Sequence, residues 1–75
     1  MGRNRHVDER RHEVFELLKL RSIHGPATAQ QIAAQLGEDD VKVRHDLDWF
    51  TKQGRILRFS NAGPYGAHLY ALHLG

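Results

Sequence analysis

Apolar residues recur along this chain with two different periods, and the change of period marks out its elements. From Asp8 to about His24, Val14, Leu17, Leu18 and Leu20, flanked by Phe15 and Ile23, return at spacings of three and four. That pattern predicts an amphipathic helix with Asp8 as its N-cap. Gly25 and Pro26 close it, because proline disfavours helical geometry in the residue before it and glycine readily takes a helix-closing conformation. In "TAQQIAAQLG", residues 28–37, a second and shorter helix is expected. Thr28 caps it, Gln31 stands three residues on as in a capping box, and Gly37 supplies a left-handed closing residue. Ile32, Ala33 and Leu36 form its buried stripe. A third helix starts at Asp39 or Asp40 and ends at Gly54. Val43, Leu47 and Phe50 face inward at i, i+4 and i+7, while Val41, His45, Asp48 and Lys52 fall on the opposite side.

After Gly54 the pattern shortens. "RILRFSN" and "HLYALHL" flank the turn-forming "AGPYGA", which predicts a β-hairpin with a longish loop. A two-stranded hairpin is marginal by itself and has to pack on the helices. Ile56, Leu57 and Phe59 do not alternate, so the pattern leaves the inward strand face open. Helix, short helix, tight turn, longer helix and hairpin is the order of a winged helix-turn-helix, an α+β fold of three helices followed by a two-stranded wing. Seventy-five residues suffice for one such domain and no more. Residues 1–7 are expected to form a flexible basic arm and residues 8–75 the domain.

Composition narrows the function. No cysteine is present, which removes disulfide, zinc-ribbon and iron–sulfur readings. The six histidines are scattered, and His68 and His73 have opposite strand parity, so no metal or other cofactor is expected. No apolar run approaches the ~20 residues that span a bilayer, and the N-terminus lacks the apolar segment of a signal peptide, so the expected location is cytoplasmic with no membrane partner. No nucleophile–base pairing or phosphate-cradling glycine loop is recognisable, and no enzymatic activity is expected. Net charge is only +2, but it is unevenly placed. Residues 1–24 carry six basic against four acidic side chains, residues 38–48 carry Lys42 and Arg44 against five acids, and residues 49–75 carry three basic side chains and no acid.

The run "TAQQIAAQLGEDDVKVRHDLDWFTKQGRILR", from Thr28 to Arg58, resembles the DNA-binding domain of DeoR-type bacterial regulators. That family's pattern is a helix xxELAxxLG, a turn, then VRRDLxxLxxxGLIxR. Val43-Arg44-His45-Asp46-Leu47 stands at its aliphatic-Arg-Arg-Asp-Leu, and Gly54 and Ile56 at its Gly and Ile. The layout is also similar to small stand-alone regulators of fimbrial operons. Three departures change the surface: Glu38 stands at a small apolar position, His45 at an arginine and Arg55 at a leucine. The resemblance implies a bacterial, sequence-specific double-stranded DNA-binding transcriptional regulator or co-regulator.

On that reading the third helix enters the major groove, with Val41, Lys42, Arg44 and His45 facing the bases. Thr28 and Gln30 would meet a phosphate through backbone N–H groups at the second helix's N-terminus. Lys52 and Arg58, the wing residues Asn61, Tyr65 and His68, and Arg3 and Arg5 of the arm would meet the backbone. Against this, Glu38, Asp39 and Asp40 open the same helix, and acids subtract from phosphate attraction. The expected result is weak intrinsic affinity that becomes useful in a homodimer or beside a second DNA-bound regulator. Asp39 is expected to be a helix cap, Asp46 to pair with a basic residue of the first helix, and Trp49 to be a partly buried packing residue. The alternative is a winged-helix protein-interaction module with little DNA binding, in which Trp49, Phe59, Tyr65 and Tyr70 form the partner surface.

Overall fold

The computed structural model describes residues 6–73; Arg3 and Arg5 therefore lie outside the described residues. Helix α1 runs Val7–Arg21 and continues into a 3₁₀ turn, Ser22–His24. Its cap lies two residues earlier than the sequence pattern indicates. His6, not Asp8, occupies the N-cap, its Nδ1 accepting from the Asp8 N–H at 3.3 Å, and Asp8 falls in the acidic first turn. Helix α2, Ala29–Leu36, has the expected capping box, with Gln31 N–H donating to Thr28 Oγ1 at 3.1 Å and Thr28 N–H to Gln31 Oε1 at 3.0 Å. Gly37 closes it at φ 68°, a left-handed conformation that only glycine adopts without strain. Helix α3, Asp40–Lys52, is capped by Asp39, whose Oδ1 accepts from Val41 N–H at 2.7 Å.

Strands β1, Ile56–Phe59, and β2, Leu69–Leu72, pair antiparallel with Ile56 opposite Leu72 and Arg58 opposite Tyr70. That register settles which face turns inward. Ile56 and Tyr70 are buried, whereas Leu57 and Phe59 stand on the outer face, 42% and 43% exposed. Ala27 joins β2 through a two-bond bridge to Tyr70, with both N···O distances below 3 Å. The hairpin is thereby fastened to the segment between α1 and α2, which supplies the support that an isolated pair of strands lacks.

The core consists of Val14 and Leu18 from α1, Ala27, Ile32 and Ala33 from the bridge segment and α2, Val43, Leu47 and Phe50 from α3, and Ile56 and Tyr70 from the hairpin. Leu36 is only partly buried. Two members of the α1 apolar series lie outside this core: Leu20 is 72% and Ile23 83% exposed. At 100° per residue Leu20 lies about 120° around the helix from Val14, beyond the stripe that α2 and α3 cover. Tyr70 departs from expectation in the other direction. It is 1% exposed, so it belongs to the core and drops out of any aromatic partner surface.

Candidate nucleic-acid interface

Four sides of α3 meet four different surroundings. Its inner stripe is in the core. Opposite, Val41, His45 and Lys52 are exposed, as the helical period requires, and Lys42 and Arg44 are exposed on the flanks, whereas Asp48, expected on the outer face, is half-buried. The acids that open the helix have intramolecular tasks. Asp39 is the cap, Asp40 sits in the first turn at the positive end of the helix dipole, and Glu38 lies near enough to Arg10 for its charge to act on that guanidinium. Much of their negative charge is thus matched by helix amides or by α1.

On the α1 side, Asp46 is fully buried and held by two arginines. Arg10 donates through Nε at 2.5 Å and Nη2 at 3.0 Å, and Arg11 through Nε at 3.3 Å. The predicted ion pair with the first helix is present, with two partners rather than one. The hydrogen bond to Asp46 raises the Arg10 pKa above its ordinary value, outweighing the opposing effect of burial. Arg11 also lies over the Trp49 ring, 4.2 Å from its centroid, and Trp49 packs edge-on against Phe50. Trp49 is a packing residue with 37% of its surface exposed.

On the wing side, Asp48 Oδ1 accepts from Tyr70 Oη at 3.0 Å and from Arg58 Nη1 at 3.3 Å. Burial, reinforced by the bond to Asp48, pushes the Tyr70 pKa up to about 12. Arg58 is accordingly engaged by an acid of α3 instead of standing free on the wing. An open cleft of about 190 Å³ separates α2, α3 and the wing base, lined among others by Thr28, Gln30, Asp40, Arg44 and His68. Sequence reasoning assigned the amide of Thr28 to a phosphate, but that N–H is taken by Gln31. The first-turn amides of Ala29 and Gln30, which have no acceptor within a helix, are the ones at the cleft.

The wing loop is tightly closed. Gly63 N–H donates to Ala67 O at 2.8 Å, and a Cβ on Gly63 would lie 3.0 Å from that same oxygen. His68 Nδ1 accepts from Asn61 N–H at 3.1 Å, so these two predicted contact residues bond each other. Asn61 and Tyr65 both take left-handed backbone conformations, at φ 56° and 55°, which costs a non-glycine residue on the order of 1 kcal/mol or more. Tyr65 is fully exposed at the loop tip. His73 Nδ1–H donates to the Gly54 carbonyl at 2.9 Å and ties the end of the hairpin to its start.

The predicted residues therefore fall into groups. Arg44, Gln30 and His68 converge on one cleft; Val41, His45 and Lys52 line the outer face of α3; Asn61 and Tyr65 mark the wing. Arg11 was not foreseen. Its only sequence signal is its place beside Arg10 in a first helix expected to neutralise Asp46.

No protein-family model matches the sequence, and no curated protein matches it. Among solved structures, the chain is similar to the Zalpha domain of PKZ from Carassius auratus in complex with Z-DNA, with a TM-score of 0.71 and 15% identity over 89% of this chain and 97% of that one. Together with the element order and hairpin register above, that likeness establishes that this chain has the winged-helix fold.

Proposed function

We propose that this domain binds double-stranded DNA as a transcriptional regulator or co-regulator, reading the major groove with α3 and gripping the backbone with the wing. The observation that carries this reading is the arrangement of α3. Its outer face presents Val41, Lys42, Arg44 and His45 while the α2 N-terminus and wing rise beside it around a shared cleft. That is the geometry of a helix-turn-helix docked in a groove. The match of Val43 to Leu47 to the DeoR-type motif supports the regulatory role, and the Zalpha domain held in complex with Z-DNA supports a nucleic-acid ligand for this fold. The intramolecular tasks of Glu38 and Asp39 lessen the electrostatic objection, and the charge of Asp40, at the cleft itself, is set against Arg44 and the α2 amides.

Fluorescence anisotropy of labelled right-handed and left-handed duplexes, repeated across a salt series, tests the proposal. Saturable binding that weakens steeply with salt is expected. Arg44→Ala should then weaken binding to a selected sequence by ~1 to 3 kcal/mol while random-sequence binding changes less. Unaltered affinity in a folded Arg44→Ala protein would remove Arg44 from the base-reading set.

A second reading has its own observation. Leu57 and Phe59 expose an apolar outer face on the hairpin, and Tyr65 stands fully exposed at the tip of the wing loop, which suits a protein-docking surface. No binding of either duplex at low salt would transfer the function to that face.

A further inference from the structure

On the α1 side of α3, a recess of about 360 Å³ is lined by Arg11, His45, Asp48, Trp49 and Lys52. Arg11 is held there from two directions. Its Nε donates to the buried Asp46, and its guanidinium plane lies on Trp49. Among the described residues no acceptor bonds its Nη groups, and its side chain is 28% exposed. A planar cation fixed by stacking and by one edge, with its other edge open, is prepared for an anion, because little rotamer freedom remains to be lost on binding. Lys52 is exposed in the last turn of α3 and has no ion-pair partner among the described residues.

The carboxylates nearby do not cancel these charges. Asp48 is shared by Arg58 and Tyr70, Asp46 is shared with Arg10, and of the two α1 acids in the hollow beside Arg11, Glu16 pairs with Lys19 and Asp8 lies in the helix's first turn. A helix about 10 to 12 Å across fills a major groove about 12 Å wide, so a docked α3 has a phosphate strand on each flank. The cleft with Arg44, Gln30 and His68 faces one of them. The recess with Arg11 and Lys52 opens further round the outer face of α3, towards α1.

We propose that Arg11 and Lys52 form a second phosphate-binding site, on the α1 flank of α3, for the DNA strand opposite the one met by α2 and the wing. The site rests on the DNA-binding reading above. It gives α1 a direct part in binding, and Trp49 becomes the platform that orients Arg11. Its ligand is a backbone phosphate diester, so its contribution is independent of sequence.

The test compares wild type, Arg11→Gln, Lys52→Gln and Lys19→Gln by anisotropy on one labelled random duplex across a salt series, with circular dichroism to confirm folding. Lys19 lies on α1 outside the recess, in the neighbouring hollow that also touches Arg11, and pairs with Glu16, so its variant removes the same charge beside the site but not in it. Arg11→Gln and Lys52→Gln are each expected to reduce the slope of log affinity against log salt by about 0.9 and to weaken binding roughly five- to tenfold near 0.1 M salt. Lys19→Gln should keep the wild-type slope. If Arg11→Gln fails to fold, Lys52→Gln decides alone. Wild-type slope and affinity in the folded site variants, an affinity loss without a change of slope, or an equal slope change in Lys19→Gln would overturn the site while leaving DNA binding intact. A wild-type protein that binds no duplex overturns both, and capture of an acidic peptide by Arg11 and Lys52 in its place would identify a protein ligand.

Discussion

Asp46 and Asp48 stand two residues apart on α3 and hold together two different seams. Asp46 is sealed between α1 and α3, with no solvent exposure and two arginines around it. Asp48 lies between α3 and the wing, about one-third exposed, sharing one oxygen between Tyr70 and Arg58. A buried carboxylate stripped of its partners has nowhere to go, because the cost of an uncompensated charge in the interior is several kcal/mol. A half-exposed one can exchange a partner for water at little cost. The helical trio is thus locked, while the wing is joined to it by a seam that can exchange its partners for others at little cost.

The widest separation between the two seams comes from removing the sealed acid. Asp46→Ala leaves Arg10 facing an empty buried site and is expected to lower unfolding free energy by about 3 to 5 kcal/mol; a urea midpoint near wild type would show that the α1 seam is not locked. Next, Leu47→Ala, a core truncation beside the same seam, should cost about 2 to 5 kcal/mol. Wild-type thermal stability there would mean that the inward face of α3 has been misplaced.

Changes at the wing seam should be smaller. Tyr70→Phe removes one hydrogen bond to Asp48, about 0.5 to 1.5 kcal/mol near neutral pH. It also carries a pH signature. The tyrosine proton is held more tightly folded, up to about 12, than unfolded, near 10. Stability from this group is therefore complete below about pH 10 and is lost as pH rises towards 12. Denaturation midpoints followed across that window should fall more steeply in wild type than in Tyr70→Phe, and parallel curves would detach Tyr70 from the seam. The smallest effect belongs to Arg58→Ala. Its pair with Asp48 is exposed on both sides, so stability should change by less than ~1 kcal/mol, whereas the salt slope of DNA binding should decrease if Arg58 leaves Asp48 for a phosphate.

The elements of this fold were legible where their causes are local. Thr28, Gln31 and Gly37 bracket α2 through bonds made within ten residues, and Val43, Leu47 and Phe50 declare the inner face of α3 by period alone. Asp39 was recognisable as a cap for the same reason. The charge of Asp46 within an otherwise apolar helix flank announced a partner on another element, though not that Arg10 and Arg11 would share it. Local pattern failed where the environment is made by a distant segment. Leu20 and Ile23 look like core and are exposed, because among the described residues no element covers them. Tyr70 looks like a surface aromatic and is buried, because the Ala27 bridge pulls β2 against the helices.

Sequence alone determined the order of the helices, the caps of α2 and α3, the hairpin and the inner stripe of α3, since caps, turns and periodicity act over a few residues. Tertiary structure decided what each exposed charge is free to do. It gave Arg58 to Asp48 and both Arg10 and Arg11 to Asp46, and it left Arg11 over Trp49 with one edge open. Those assignments depend on distances between segments up to 38 residues apart in the chain, as between Arg11 and Trp49, and such distances exist only once the core of α1, α2, α3 and the hairpin has closed.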